Sequence, residues 1–167
     1  TWYDPAKEGD AAKSMMEQGC DVVAQHTDSP APLIAAEKAG KVGFGQASDQ
    51  LKFAPKAQLT ATIDNWGPYY IDKVGQVLDG TWKTGDYFGH MNTGAVQMAP
   101  FTNMPANVAL EAQIVKDAIS AGTLHGFTGP INKQDGSVFL EVGEVATRMQ
   151  LDTMDFYVEG ITATPPS

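Results

Sequence analysis

Residues 21–46, "DVVAQHTDSPAPLIAAEKAGKVGFGQ", decide the fold. The opening run, "DVVAQ", is apolar, too short for a helix, and suited to a buried parallel strand. "HTDSPAP" is polar and proline-rich, so it is a loop that leads into a proline-started helix. Gly40 closes that helix, and "KVGFGQ" follows as a second strand. Strand, helix and strand in immediate succession form a crossover unit, which requires a parallel pair.

The same alternation extends in both directions. Upstream, Asp4 reads as an N-cap and Pro5 as the first residue of a helix that stops near Gly19. Downstream, "LTATI" alternates β-branched residues as a third strand. Gly67-Pro68 opens the helix "YYIDKVGQVLDG", ending at Gly80. "TWKTGDYFGHMNTG" is glycine-rich and polar, hence a loop, and "AVQMAP" is a fourth strand. "PANVALEAQIVKDAISAG" places Val108, Ala112, Val115 and Ile119 at helical spacing and stops at Gly122. The tail changes character: "INKQDGSVFLEVGE" is a hairpin about Gln134-Asp135-Gly136, "MQLDTMDFYVEG" a short amphipathic segment, and "TPPS" a frayed end. The expected fold class is α/β, a mostly parallel sheet flanked by helices, plus a C-terminal hairpin and short helix. The chain opens on a loop and a helix with no strand before them, so a longer protein is expected.

The composition excludes several classes of function. The hydrophobic fraction of 43% and charged fraction of 19% are those of a globular domain. A formal net charge of −9 argues against a protein that tracks nucleic-acid phosphates. The single cysteine, Cys20, precedes an apolar strand and reads as a small buried filler. His26, His90 and His125 are far apart, without metal-ligand spacing, and "VGFGQAS" is no dinucleotide loop. No metal and no cofactor are expected.

In open α/β sheets, ligands sit beyond the carboxyl ends of the strands. Four loops belong to that edge: "TWYDP", "HTDSP", "ASDQ" and "DNWGP". Each carries an aspartate, namely Asp4, Asp28, Asp49 and Asp64, and two carry a tryptophan, Trp2 and Trp66. Carboxylates accept hydrogen bonds and indoles offer stacking faces, which suits a planar ligand rich in donors. Asp4 and Asp28 precede proline-started helices, so N-capping is the expectation for both, and burial in a core accounts equally for Trp66. Ser29, His26 and Asp28 supply the residue types of nucleophilic catalysis, but no nucleophile elbow is present.

The motifs "WYDPAKEGDAAKSMMEQGCDVVAQHTDSPAPLIAAEKAG", "GFGQASDQ", "NWGPYY", "LDGTW" and "LHGFTGPINKQDG" together resemble the basic membrane protein (BMP) family of bacterial ABC-importer substrate-binding proteins. The resemblance spans essentially residues 1–167 and is to the C-terminal half of the family, with the N-terminal lobe absent. It implies a type I periplasmic-binding-protein lobe with hinge-crossing segments, and no enzyme. It further implies capture of a purine base or nucleoside between two lobes, delivery to an ABC permease, and no nucleic-acid partner. A periplasmic or membrane-anchored location, with a signal or lipobox upstream, is part of the same expectation. By motif, Trp2 takes the stacking position, Asp49 the ligand carboxylate, and His26, Thr27 and Asp28 the cleft-lining loop. Where nucleoside binders of the family carry a lysine, this chain has Asp64, followed by Asn65 and Trp66. That exchange shifts the expected ligand toward a free base such as adenine. The alternatives are a nucleoside hydrolase using Ser29 or His26, and a sensory module of the same fold.

Overall fold

The computed structural model describes residues 2–163; the frayed end expected at "TPPS" lies outside them. The chain divides into two compact units, residues 1–120 and 121–167.

The first unit carries a four-stranded sheet in the order β1 (Val22–Val23), β2 (Val42–Gly45), β3 (Gln58–Asp64), β4 (Val96–Met98). β1, β2 and β3 are mutually parallel. β4 runs antiparallel to β3, with Thr62 opposite Met98 and Asp64 opposite Val96. This departs from the direction that strict strand–helix alternation implies. The reason is where the chain re-enters the sheet. Asn65 N–H donates to the Ala95 carbonyl at 2.8 Å, so β4 starts beside the end of β3 and can only run back along it.

Helices α1 (Pro5–Glu17) and α2 (Ala31–Lys38) pack on each other, and α2 covers β1 and β2. Asp4 caps α1, its carboxylate accepting from Lys7 N–H at 3.2 Å with Pro5 next in the chain. Gly19 follows the α1 cap with φ +101°, a conformation that L-residues avoid. The core between α1, β1 and α2 is built from small side chains: Ala12, Val23, Ala35 and Ala36, with Leu33 against Ala54 and Ala57 beside it. Close packing explains Gly43 as well. A Cβ there would stand 2.6 Å from the Val23 carbonyl oxygen and 3.0 Å from a Leu33 methyl. α3 (Gly67–Leu78) and α4 (Ala106–Ser120) bury no residue fully. The α4 stripe nevertheless faces apolar partners: Ala112, Val115 and Ile119 line a cleft of about 320 Å³ with Phe44, Met98 and Phe101.

The second unit is the expected hairpin, β5 (Ile131–Asn132) antiparallel to β6 (Val138–Leu140), turning through Gly136 at φ +84°. Leu140 is fully buried, and Phe139 meets Phe156 edge-on at 4.9 Å. The short amphipathic segment forms α5 (Arg148–Asp152), opened by a capping box between Thr147 and Gln150.

Two expectations fail locally. Cys20 is exposed, not buried. Its N–H closes the turn out of α1 on the Met15 carbonyl, which leaves it at the surface before β1 begins. Asp28 is no helix cap: α2 starts at Ala31 with Pro30 at the cap position, and the Ala31 N–H is met by Ser29 Oγ at 3.2 Å.

Candidate functional site

The strand-end loops are connected along the sheet edge by a continuous row of hydrogen bonds. Asp28 N–H donates to the Trp2 carbonyl at 3.3 Å, joining the first two loops. Thr27 Oγ1 lies 3.0 Å from Gln25 Oε1, and Gln25 Nε2 donates to Gln50 Oε1 at 2.8 Å, reaching the third. Asp64 N–H donates to the Ala47 carbonyl at 3.0 Å, reaching the fourth. All eight candidate residues, Trp2, His26, Thr27, Asp28, Asp49, Asp64, Asn65 and Trp66, sit on this edge of the first unit.

Five of them line two separate hollows, while Trp2, Asp28 and Asp49 stand outside both. His26 and Thr27 border a cleft of about 350 Å³ against α1, where Lys7, Glu8, Ala11 and Met15 form the opposite wall. Asp64, Asn65 and Trp66 border a second of about 190 Å³, closed by Tyr87, Phe88 and Gly89 from the glycine-rich loop. Trp2 is 78% exposed and Trp66 50%, so neither indole is spent on a core. Trp66 stands edge-on to Tyr69 with ring centres 5.7 Å apart, and Tyr69 lies 4.5 Å from Tyr87. Asn65 has a structural duty: its Nδ2 donates to the Gly94 carbonyl at 2.9 Å and pins the loop before β4.

Asp49 is exposed, and two donors meet one of its oxygens. Gln58 Nε2 donates to Oδ1 at 2.7 Å and Leu51 N–H at 3.0 Å. These bonds, the Gln58 amide foremost, hold its carboxyl below the usual aspartate value, so it is an anion and an acceptor at neutral pH.

Beneath the His26–Asp28 loop lies a buried carboxylate. Glu8 accepts from Ser29 Oγ and, at 2.7 Å, from Asp4 N–H, tying the start of α1 to the start of α2. The Ser29 bond, then that from Asp4, lowers the Glu8 pKa from its ordinary 4.5. A lowered folded-state value means stability that is fully present above about pH 4.5 and lost as pH falls through the folded value. Glu8→Gln is therefore expected to flatten the acid limb of stability, read as urea midpoints from neutral pH down to about pH 3. Equal acid slopes for the two proteins would sink that assignment.

The bonds of Ser29 speak against catalysis there. Its hydroxyl is fully buried, donates to Glu8 and accepts from Ala31 N–H, so it has no face for a substrate. Among the described residues no group of three His, Cys, Asp or Glu could hold a metal ion, and no helix is long and apolar enough to cross a membrane. Sequence reasoning missed Tyr87 and Phe88, although an aromatic pair in a polar glycine-rich loop is itself a signal. It also missed Glu8, Gln25, Gln50 and Gln58, whose roles depend on partners distant in the chain.

Comparisons with known proteins agree with this architecture. Residues 1–126 match the family model Bmp, described as ABC transporter substrate-binding protein PnrA-like. A purine-binding protein of Brucella abortus (strain 2308) is 53% identical over 161 residues, covering 96% of this chain and 46% of that protein. A putative ABC transporter glucose-binding protein, TsgA13, of Haloferax volcanii is 30% identical over 166 residues, covering 99% of this chain and 40% of that protein. The chain thus spans less than half the length of these relatives. Among solved structures, a transcriptional activator of the comK gene from Bacillus halodurans superposes with TM-score 0.59 at 22% identity, covering 75% of this chain and 44% of that one. An ABC transporter solute-binding protein from Aeropyrum pernix K1 gives TM-score 0.59 at 13% identity, covering 91% and 48%. At such identities the structural likenesses speak for the fold alone.

Proposed function

The chain belongs to the Bmp family of PnrA-like ABC-transporter substrate-binding proteins, and from that premise we propose that it is the ligand-binding lobe of a receptor that captures a purine, adenine-like, for uptake. The observation that carries the ligand class is the linked row of strand-end loops, which offers carboxylate acceptors beside exposed aromatic faces on one edge. A flat heterocycle with N–H donors satisfies both at once. The 53% identity to the Brucella purine-binding protein supports the same reading.

In this reading Trp2 and Trp66 supply stacking faces, while Asp49, Asp64 and the His26–Asp28 loop take up the ligand's edge. The site binds and does not catalyse. A second lobe, contributed by the rest of a longer protein, closes over the ligand, and the loaded receptor docks on an ABC permease outside the cytoplasmic membrane. Binding pockets bury most of a small ligand's surface, and an open edge buries far less. The 167-residue chain alone is therefore expected to bind adenine at least roughly hundredfold more weakly than the full-length protein, or undetectably. Calorimetry of both with adenine, hypoxanthine, guanosine and glucose tests this. Equal, tight affinity for both proteins would remove the half-site reading, and glucose binding in place of purine would remove the ligand class.

A further inference from the structure

We infer that Gln58 is a positioning residue for ligand selectivity: from beneath the site it engages one oxygen of Asp49 and holds the other as the acceptor left for the ligand, and so favours an edge that carries an N–H donor there. The inference rests on the purine-binding reading above.

The Gln58 side chain is 0% exposed, so it cannot touch a ligand. Both ends of its amide are committed. Nε2 donates to Asp49 Oδ1 at 2.7 Å, and Oε1 accepts from Gln50 N–H at 2.9 Å. Turning the amide over would set oxygen against carboxylate and NH₂ against N–H, so its orientation is locked. The surroundings are built for it: a Cβ on Gly45 would come within 2.9 Å of Gln58 Oε1. With Leu51 N–H also on Asp49 Oδ1 at 3.0 Å, that oxygen is filled. Among the described residues no donor meets Oδ2, and Asp49 itself is exposed.

The same polarity runs into the neighbouring loop. Gln50, held through its backbone by Gln58, accepts from Gln25 Nε2 at 2.8 Å and donates from Nε2 to the Gln46 carbonyl at 3.2 Å. Gln25 thus presents its oxygen to Thr27 Oγ1, 3.0 Å away, and the next oxygen near Thr27 is the Ser29 carbonyl at 3.3 Å. Both partners are acceptors, and so is the Glu8 carboxylate, which Thr27 also meets through its side chain, so the one hydroxyl hydrogen of Thr27 is committed within the protein. A ligand at Asp49 meets an acceptor, and one at Thr27 meets a hydroxyl whose hydrogen is already given. An exocyclic amino group fits there, whereas a carbonyl in its place meets oxygen with oxygen.

The test compares adenine with hypoxanthine, the same ring system with a carbonyl in place of the amine. Gln58→Leu and Gln58→Glu in the full-length protein are titrated calorimetrically from about pH 5 to about pH 8. Gln58→Leu is expected to cost on the order of tenfold in adenine affinity and much less for hypoxanthine, so their ratio collapses. In Gln58→Glu the introduced carboxyl group faces Asp49, and the pair retains one proton at low pH. Protonated, it donates to Asp49 as the amide did. Adenine affinity is then near wild type at about pH 5 and falls as pH rises to about 8.

A purely space-filling Gln58 would lower the melting temperature and leave the adenine-to-hypoxanthine ratio unchanged, and that result overturns the inference. Should Gln58→Leu fail to fold, a pH-independent adenine affinity in Gln58→Glu overturns it instead. Asp49→Ala, run in parallel, separates the two layers. No purine binding by the wild type removes the functional reading. Adenine binding that is lost in Asp49→Ala but indifferent to Gln58 removes only the positioning role.

Discussion

Leu33→Ala is expected to destabilise the first unit by about 2–5 kcal/mol, toward the upper end. Leu33 is 1% exposed on the inner face of α2, and its neighbours in the core are Ala54 and Ala57. Gly43 lies against its methyl group. None of these has a side chain long enough to fill the space that a leucine leaves. The cavity therefore stays open, and its cost adds to the lost transfer energy. Leu78→Ala is the internal contrast. Leu78 is 81% exposed at the end of α3, and its truncation is expected to cost no more than about 0.5 kcal/mol. Urea denaturation of both variants decides the matter, and a Leu33→Ala effect no larger than that of Leu78→Ala would show the α2 core to be loosely packed.

Among the substitutions, Asp49→Ala carries the largest expected effect on binding, a loss of roughly 10- to 150-fold in adenine affinity of the full-length protein. A hydrogen bond to a charged acceptor contributes about 1.5–3 kcal/mol, and the unengaged oxygen of Asp49 is the site's best-defined anionic acceptor. The substitution has a second consequence within the fold. It removes the acceptor for Gln58 Nε2, a donor with no exposure to water, and so costs about 1–3 kcal/mol of stability. Asp49→Asn restores an oxygen for Gln58 without the charge. It is expected to recover most of the stability and only part of the affinity. Affinity unchanged in both variants would place the ligand elsewhere on the edge.

Much of this arrangement is legible in the chain itself, because helix starts and stops are local. Asp4-Pro5 caps and opens α1 within one turn, and Gly19, Gly40, Gly80 and Gly122 close their helices with positive φ. The strand-to-helix loops follow from the same alternation, and so does the edge on which Trp2, Asp49 and Trp66 stand. The Asp28 expectation erred because a cap depends on the register of the helix start, and two prolines displaced that start to Ala31. The Cys20 expectation erred because sequence proximity to an apolar strand does not say which way a reversing turn exposes its residues.

What the amino-acid sequence determined by itself is therefore the order of elements, their capping and the identity of the strand-end loops, all of which rest on interactions spanning one to four residues. Tertiary structure alone decided the reversed direction of β4, the placing of five candidate residues on two hollows and of the other three outside them, and the partners of Gln58. The reason is range. Gln25 meets Gln50 across 25 residues, and Gln58 reaches Asp49 across nine. Nothing in a glutamine's local context says which partner it will find. That choice is made only when β2 and β3 pair in parallel and bring the Asp49 loop and the buried amide of Gln58 together.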